Sequence, residues 1–246
     1  MSGGLSGKVA LVTGSSKGIG KAIALGFAQA GATVSLLART QEDLDQVLAT
    51  APAGFGLIAA RADVTEPESL RQGFARCAEA FGGLDILVVN AGISAEPRTV
   101  EDSDPARWRQ TLDTNLFGAY LTANIGIPYL RKRGGGNIIV LGSGMGHRGM
   151  PGSSAYSCSK AGVSMLVRVL AEELREHGIS VNELIPGPVD TGFNPAALSA
   201  LIDSPEGAVE WNKRPEDVVP LALFLAQQPR LGPTGQTFSL MRRIMG

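Results

Sequence analysis

The stretch from Lys8 to Leu37 sets the tightest limit on what this chain can fold into. Val9-Ala10-Leu11-Val12 is a continuous apolar run of strand length, and Thr13-Gly14-Ser15-Ser16-Lys17-Gly18-Ile19-Gly20 breaks it. A helical pattern follows through Ile23, Ala24, Phe27 and Ala28 and stops at Ala30-Gly31, where glycine suits a helix C-cap. A strand without polar alternation is buried on both faces, as in parallel sheets covered by helices. Thr33 to Leu37 supplies the next strand, so the unit reads strand, glycine turn, helix, strand. In such a unit Gly14 permits the tight turn, Gly18 admits a pyrophosphate to the backbone, and Gly20 lets helix pack on strand. The spacing G-x-x-x-G-x-G departs from the usual G-x-G-x-x-G, so a glycine-rich connection that binds nothing stays open on spacing alone. An acidic residue after the second strand would hold a ribose diol, whereas Arg39, with Lys17, suits a 2′-phosphate and points to NADP over NAD.

The alternation continues to the end of the chain. Strands are expected at 56–60, 85–89, 137–141, 179–185 and 236–240. Helices are expected at 66–81, where a proline lies near the start, at 105–130, from Ser154 to about His177, and after Arg214-Pro215-Glu216-Asp217. The segment 192–213 is weakly patterned, with Pro195 and Pro205, and reads as a lid. No repeat or linker divides the 246 residues. The expectation is an α/β fold: one doubly wound, Rossmann-type domain over 1–246, with a mostly parallel seven-stranded sheet, helices on both faces and a site formed by loops at the strand ends.

Charge narrows the function. Lys and Arg total 22 against 23 acidic residues, and the longest block of one sign is Arg131-Lys132-Arg133, which reads as a solvated helix end, so nucleic acid is not an expected partner. The N-terminus has neither a basic start nor an apolar stretch, and no run approaches membrane-span length, so a cytoplasmic protein away from membranes is expected. Cys77 and Cys158 are too few for a disulfide framework, and both are expected to pack. His147 and His177 lack ligand spacing, so no metal site is expected.

Tyr156 and Lys160 lie four residues apart in Ser154-Ala155-Tyr156-Ser157-Cys158-Ser159-Lys160 and share a helix face. A free phenol keeps its proton to about pH 10, and a neighbouring ammonium favours the phenolate, so Lys160 is expected to lower that value and let Tyr156 exchange a proton near neutrality. Ser143, at the end of the preceding strand, can face the phenol. An exposed lysine beside a packed tyrosine is the bland reading of the pair alone.

Together the cofactor turn 13–20, Asn90-Ala91-Gly92, Asn115, Ser143, Tyr156, Lys160 and Pro186-Gly187 resemble the short-chain dehydrogenase/reductase family, in its order and at its spacing, from about Gly7 to Gln236. The resemblance implies that Tyr156 protonates a substrate carbonyl oxygen while NADPH delivers hydride to the carbon, and that Ser143 hydrogen-bonds that oxygen. It implies that Lys160 lowers the tyrosine's pKa and holds the nicotinamide ribose, and that Asn115 helps a water connect the lysine to solvent. Ser16 and Ile19 fall in the cofactor turn. Asn90 fixes the end of its strand, Asp63 and Val64 lie by the adenine, and Val189 and Thr191 lie by the nicotinamide amide. Two features depart from the family: Val89 stands where a first asparagine is common, and Phe238 to Gly246 replaces the usual tail, which puts the usual subunit packing there in doubt.

The most similar subgroup is the 3-oxoacyl carrier-protein reductases, through chain length and the Arg-Pro-Glu-Asp helix start. Carrier docking in that subgroup uses basic residues at the ends of the two long helices, where this chain offers Arg133 and His177. The implied substrate is thus an acyl thioester or, alternatively, a free ketone, secondary alcohol or sugar. Gly144, Met145, His147, Met150 and Phe193 give a mixed pocket lining. Relatives usually form homotetramers, or homodimers, through their long helices. A non-catalytic nucleotide-sensing module is the rival class, but it would be expected to lose one of Asn115, Ser143, Tyr156 or Lys160.

Overall fold

The computed structural model describes residues 4–193 and 210–242. Seven strands form one parallel sheet in the order β3-β2-β1-β4-β5-β6-β7. They are β1 Val9–Thr13, β2 Thr33–Ala38, β3 Leu57–Arg61, β4 Ile86–Val89, β5 Gly136–Leu141, β6 Ile179–Ile185 and β7 Thr237–Ser239. The chain steps outward from β1 to β3 and then crosses to the other side of β1 for β4. Loops leaving the carboxyl ends of β1 and β4 therefore diverge and open a crevice, the usual ligand site of such sheets.

The apolar strands serve two cores at once, because successive side chains point to opposite faces. Val9 and Leu11 of β1 join one core, beneath α3 Pro67–Phe81, α5 Gly118–Lys132 and α6 Ser154–Leu174. Ala10 and Val12 join the other, beneath α1 Gly18–Gln29, α2 Gln41–Thr50 and α7 Val219–Ala226. Phe74 and Phe27, both essentially inaccessible, anchor the two cores, and truncating either to alanine would cost about 3–5 kcal/mol. Pro67 opens α3 and Gly82, at φ 78°, closes it in the left-handed conformation that glycine tolerates best.

Three local features differ from the expectation. Helix α2 carries only two buried residues, Leu44 and Val47, so its apolar stripe is too thin to signal a helix. The long region from Pro105 is interrupted: α4 Pro105–Leu112 passes into a π turn, Asp113–Phe117, before α5 resumes. Cys77 is buried as expected, and burial pushes its thiol up to about 11, but Cys158 is exposed. The expected lid falls mainly on residues 194–209, which lie outside the described residues. No helix among the described residues is long and apolar enough to cross a membrane.

Candidate active site

The crevice is built from β1 outward. Gly14, at φ 64°, turns the chain where Asn90 closes in: a Cβ on Gly14 would sit 2.9 Å from both Ala91 Cα and Asn90 Nδ2. A Cβ on Gly20 would run into the Gly14 carbonyl oxygen, so helix and turn approach as only glycine permits. Asn90 Nδ2 donates to the carbonyls of Thr13 and Gly14, while Thr13 Oγ1 accepts from the amides of Asn90 and Ala91. These bonds lock the ends of β1 and β4 together.

Helix α1 starts there with no side-chain cap on its first amides and no acidic residue in its first turn. Such an end, with Ser16, Lys17, Gly18 and Ile19 around it, fits the pyrophosphate of a dinucleotide. Thr191 lies over Gly18, 3.2 Å from the position of a Cβ there, so the segment after Pro186-Gly187 meets the cofactor turn. Val189 is held in a short bridge to Lys213. Arg39 is exposed at the end of β2, and the guanidinium of Arg61, at the end of β3, donates to its carbonyl. Arg61 thus adds a second cation beside Arg39, marked in sequence only by ending the adjacent strand. Asp63 Oδ1 accepts from the amide and hydroxyl of Thr65, and Val64 packs on Gly118.

Deeper in the crevice the structure brings Ser143, Tyr156 and Lys160 together. Ser143 caps the turn after β5, its Oγ accepting from the Met145 amide at 3.2 Å, so its own proton remains to be given. Lys160 is 6% exposed; its Nζ donates to the Leu141 carbonyl at 2.7 Å and lies 5.9 Å from the centre of the Tyr156 ring. The expected lowering of the phenol by Lys160 is not what this geometry gives. Burial pushes Tyr156 above its ordinary value of 10.0, and Ser143, within hydrogen-bond reach, offsets part of the rise. Burial also lowers Lys160 to about 8, against the opposing pull of the Glu183 carboxylate. Phe193 tilts over Tyr156 with ring centres 6.1 Å apart.

Asn115 sits in the π turn, and its amide is fully engaged across the crevice rather than on its own helix. Its Oδ1 accepts from Ile93 N at 2.7 Å, and its Nδ2 donates to Ile93 O and Ser159 Oγ. Ser159 Oγ in turn donates to the Tyr156 carbonyl. Asn115 therefore ties the loop after β4 to the helix of Tyr156, and Gly92 packs against it.

Besides Arg61, two features escaped the sequence reading. Met241, in the atypical tail, lies against Gly144 and Gly187 and so reaches the mouth of the crevice. Glu183 sits fully buried in β6 and acts electrostatically on Lys160; a single charge among the uncharged residues of Ile179–Ile185 was the available signal. Arg133, considered for carrier docking, is instead bonded to Asp85 at 3.3 Å, and it caps the end of α5 at the edge where β4 and β5 begin, opposite the crevice.

The comparisons agree with this geometry. Residues 8–200 match the short chain dehydrogenase family. A short-chain type dehydrogenase/reductase of Picea abies is 37% identical over 90% of this chain and 86% of its own length. A 3-oxoacyl acyl-carrier-protein reductase of Thermotoga maritima is 33% identical over 96% of this chain and 97% of its own. The crystal structure of a short-chain type dehydrogenase/reductase from Mycobacterium marinum superposes with a TM-score of 0.86 at 36% identity, covering 96% of this chain and 94% of the other. The chain belongs to the short-chain dehydrogenase/reductase family, oxidoreductases of alcohols and ketones that use a nicotinamide cofactor.

Proposed function

We propose that the protein is an NADP(H)-dependent oxidoreductase in which Tyr156 is the general acid and base. The cluster of Ser143, Tyr156 and Lys160 beside an uncapped helix end supports this reading most directly. When bound, the cofactor supplies or accepts the hydride. Tyr156 gives its phenolic proton to the carbonyl oxygen in reduction and takes it back in oxidation. Ser143 donates to the same oxygen, where negative charge develops. The Lys160 ammonium, with Tyr156, holds the nicotinamide ribose. Asn115 keeps the loop after β4 aligned with the tyrosine helix. Ser16 to Ile19 and Gly14 hold the pyrophosphate; Arg39 and Lys17 read the 2′-phosphate. Asp63 and Val64 border the adenine, Asn90, Ala91 and Gly92 the adenosine side of the crevice, and Pro186, Gly187, Val189 and Thr191 the nicotinamide amide.

The favoured substrate is a free ketone or secondary alcohol, because Arg133 is engaged with Asp85 at the opposite edge of the sheet and is poorly placed to dock an acidic carrier. An acyl thioester is the second reading, favoured by the name of the Thermotoga relative. Exposed Tyr120 on α5 and Met165 and Val169 on α6 support a homo-oligomer, a tetramer or dimer; the cytoplasmic setting rests on the sequence reading alone. The deciding test follows nicotinamide absorbance with simple ketones, sugar-derived ketones and an acetoacetyl thioester, with NADPH and NADH in parallel. Turnover with NADPH and a free ketone supports the reading; turnover confined to NADH refutes the cofactor choice.

A further inference from the structure

Glu183 is a carboxylate where a doubly covered strand expects an apolar residue. It is 0% exposed, in the centre of β6, on the face that Val181 presents to α6. Its Oε2 accepts from Thr237 Oγ1 on β7 at 2.8 Å and from Ser164 Oγ on α6 at 3.1 Å. His147 Nε2, from the end of the turn that carries Ser143, lies 3.3 Å from the same oxygen, and against a carboxylate that nitrogen is the donor. The other oxygen, Oε1, has no hydrogen-bond partner among the described residues and lies on Gly142, where a Cβ would displace it. Hydroxyls and an imidazole alone are a thin set of partners for a buried charge, which is costly unless an opposite charge is close. That opposite charge is Lys160, one helical turn before Ser164 on the same face of α6, whose proton the Glu183 charge helps to retain.

We propose that Glu183 is a positioning residue for the reaction: it holds the charge of Lys160 under Tyr156 and, through His147, ties the Ser143 turn to the same point. One carboxylate then joins the two elements that must stay in register for Ser143 and Tyr156 to meet one substrate oxygen. Among the described residues, the groups that face it are Ser164 and Lys160 from α6, His147 from the turn after β5, Thr237 from β7 and the backbone of Gly142 after β5. The inference rests on Lys160 acting as proposed above, so its test has one arm that needs turnover and one that does not.

The test is Glu183→Gln, which keeps the shape and removes the charge. Losing the pull of an opposite charge lowers a lysine's titration, by about one unit or more where that charge lies within about 4–6 Å. The turnover deficit of Glu183→Gln is therefore expected to grow with pH, reaching about tenfold more at pH 9 than at pH 6. A deficit that does not change with pH, or no deficit, overturns the proposal. The second arm measures thermal midpoints in a cycle with Lys160→Met. Glu183→Gln is expected to lower the midpoint when Lys160 is present and to raise it in Lys160→Met, where it removes a lone buried charge. Equal shifts in both backgrounds overturn the pairing, whether or not the protein turns over any substrate tried. Absence of turnover in the wild type strikes the proposed function instead, and the cycle still reads the pairing.

Discussion

Lys160 makes a quantitative claim about stability. Its ammonium titrates near 8 rather than 10.5, chiefly because burial penalises the charge, with Glu183 pulling the other way. At about 1.4 kcal/mol per unit, keeping Lys160 protonated costs the folded state about 3 kcal/mol. The unfolded chain holds this proton up to about pH 10.5, while the folded chain gives it up from pH 8. The missing stability therefore returns as pH rises through the window from 8 to 10.5. Integrated from pH 7 to pH 9, the gain is about 1.3 kcal/mol, or about 3–5 °C in melting temperature for a chain of this size. Cys77, whose buried thiol is pushed from 9.0 up to about 11, works in the opposite sense, since the unfolded thiol ionises first above pH 9. The comparison is therefore made against Lys160→Met, which shares Cys77 and Tyr156. Urea unfolding without cofactor at pH 7 and pH 9 should show the wild type gaining about 1.3 kcal/mol on the variant. A gap that stays constant, or moves the other way, refutes the claim that burial depresses Lys160.

Two further outcomes follow from the same site. Changing Arg39 to Asp should weaken NADPH binding about 10- to 100-fold, the worth of a charge-assisted contact, and spare or improve NADH; equal losses in parallel titrations would show that Arg39 does not read the 2′-phosphate. Asn115→Ala should strand the half-buried amide and carbonyl of Ile93 and cost about 1–3 kcal/mol, measured by chemical unfolding. A loss below about 0.5 kcal/mol would mean that those groups find other partners.

The sheet was legible because its strands are buried on both sides. Val9 to Val12 and Ile138 to Leu141 are apolar without alternation, and that pattern has few meanings besides a covered parallel strand. The glycine turn was legible for a related reason, since the approach of Gly20 to Gly14 leaves no room for a side chain. What stayed hidden depends on contacts between segments far apart in the chain. Helix α2 buries too little to write a stripe into the sequence. The π turn at Asn115 follows from a side chain bonded to Ile93, 22 residues away. Met241 reaches Gly144 and Gly187 only because β7 pairs with β6. The direction of the Tyr156 shift also needed three dimensions: four-residue spacing puts Lys160 on the same face, but it does not reveal the burial that raises the phenol, nor that Nζ is turned to the Leu141 carbonyl.

The central claim is that Tyr156 exchanges the substrate proton. The most direct measurement is turnover by Tyr156→Phe against the wild type on whichever carbonyl the panel identifies, with NADPH binding followed by fluorescence. Turnover should fall about 10²- to 10⁴-fold, the usual worth of a positioned general acid, while NADPH affinity stays within a few-fold. Turnover in Tyr156→Phe close to wild type would contradict it.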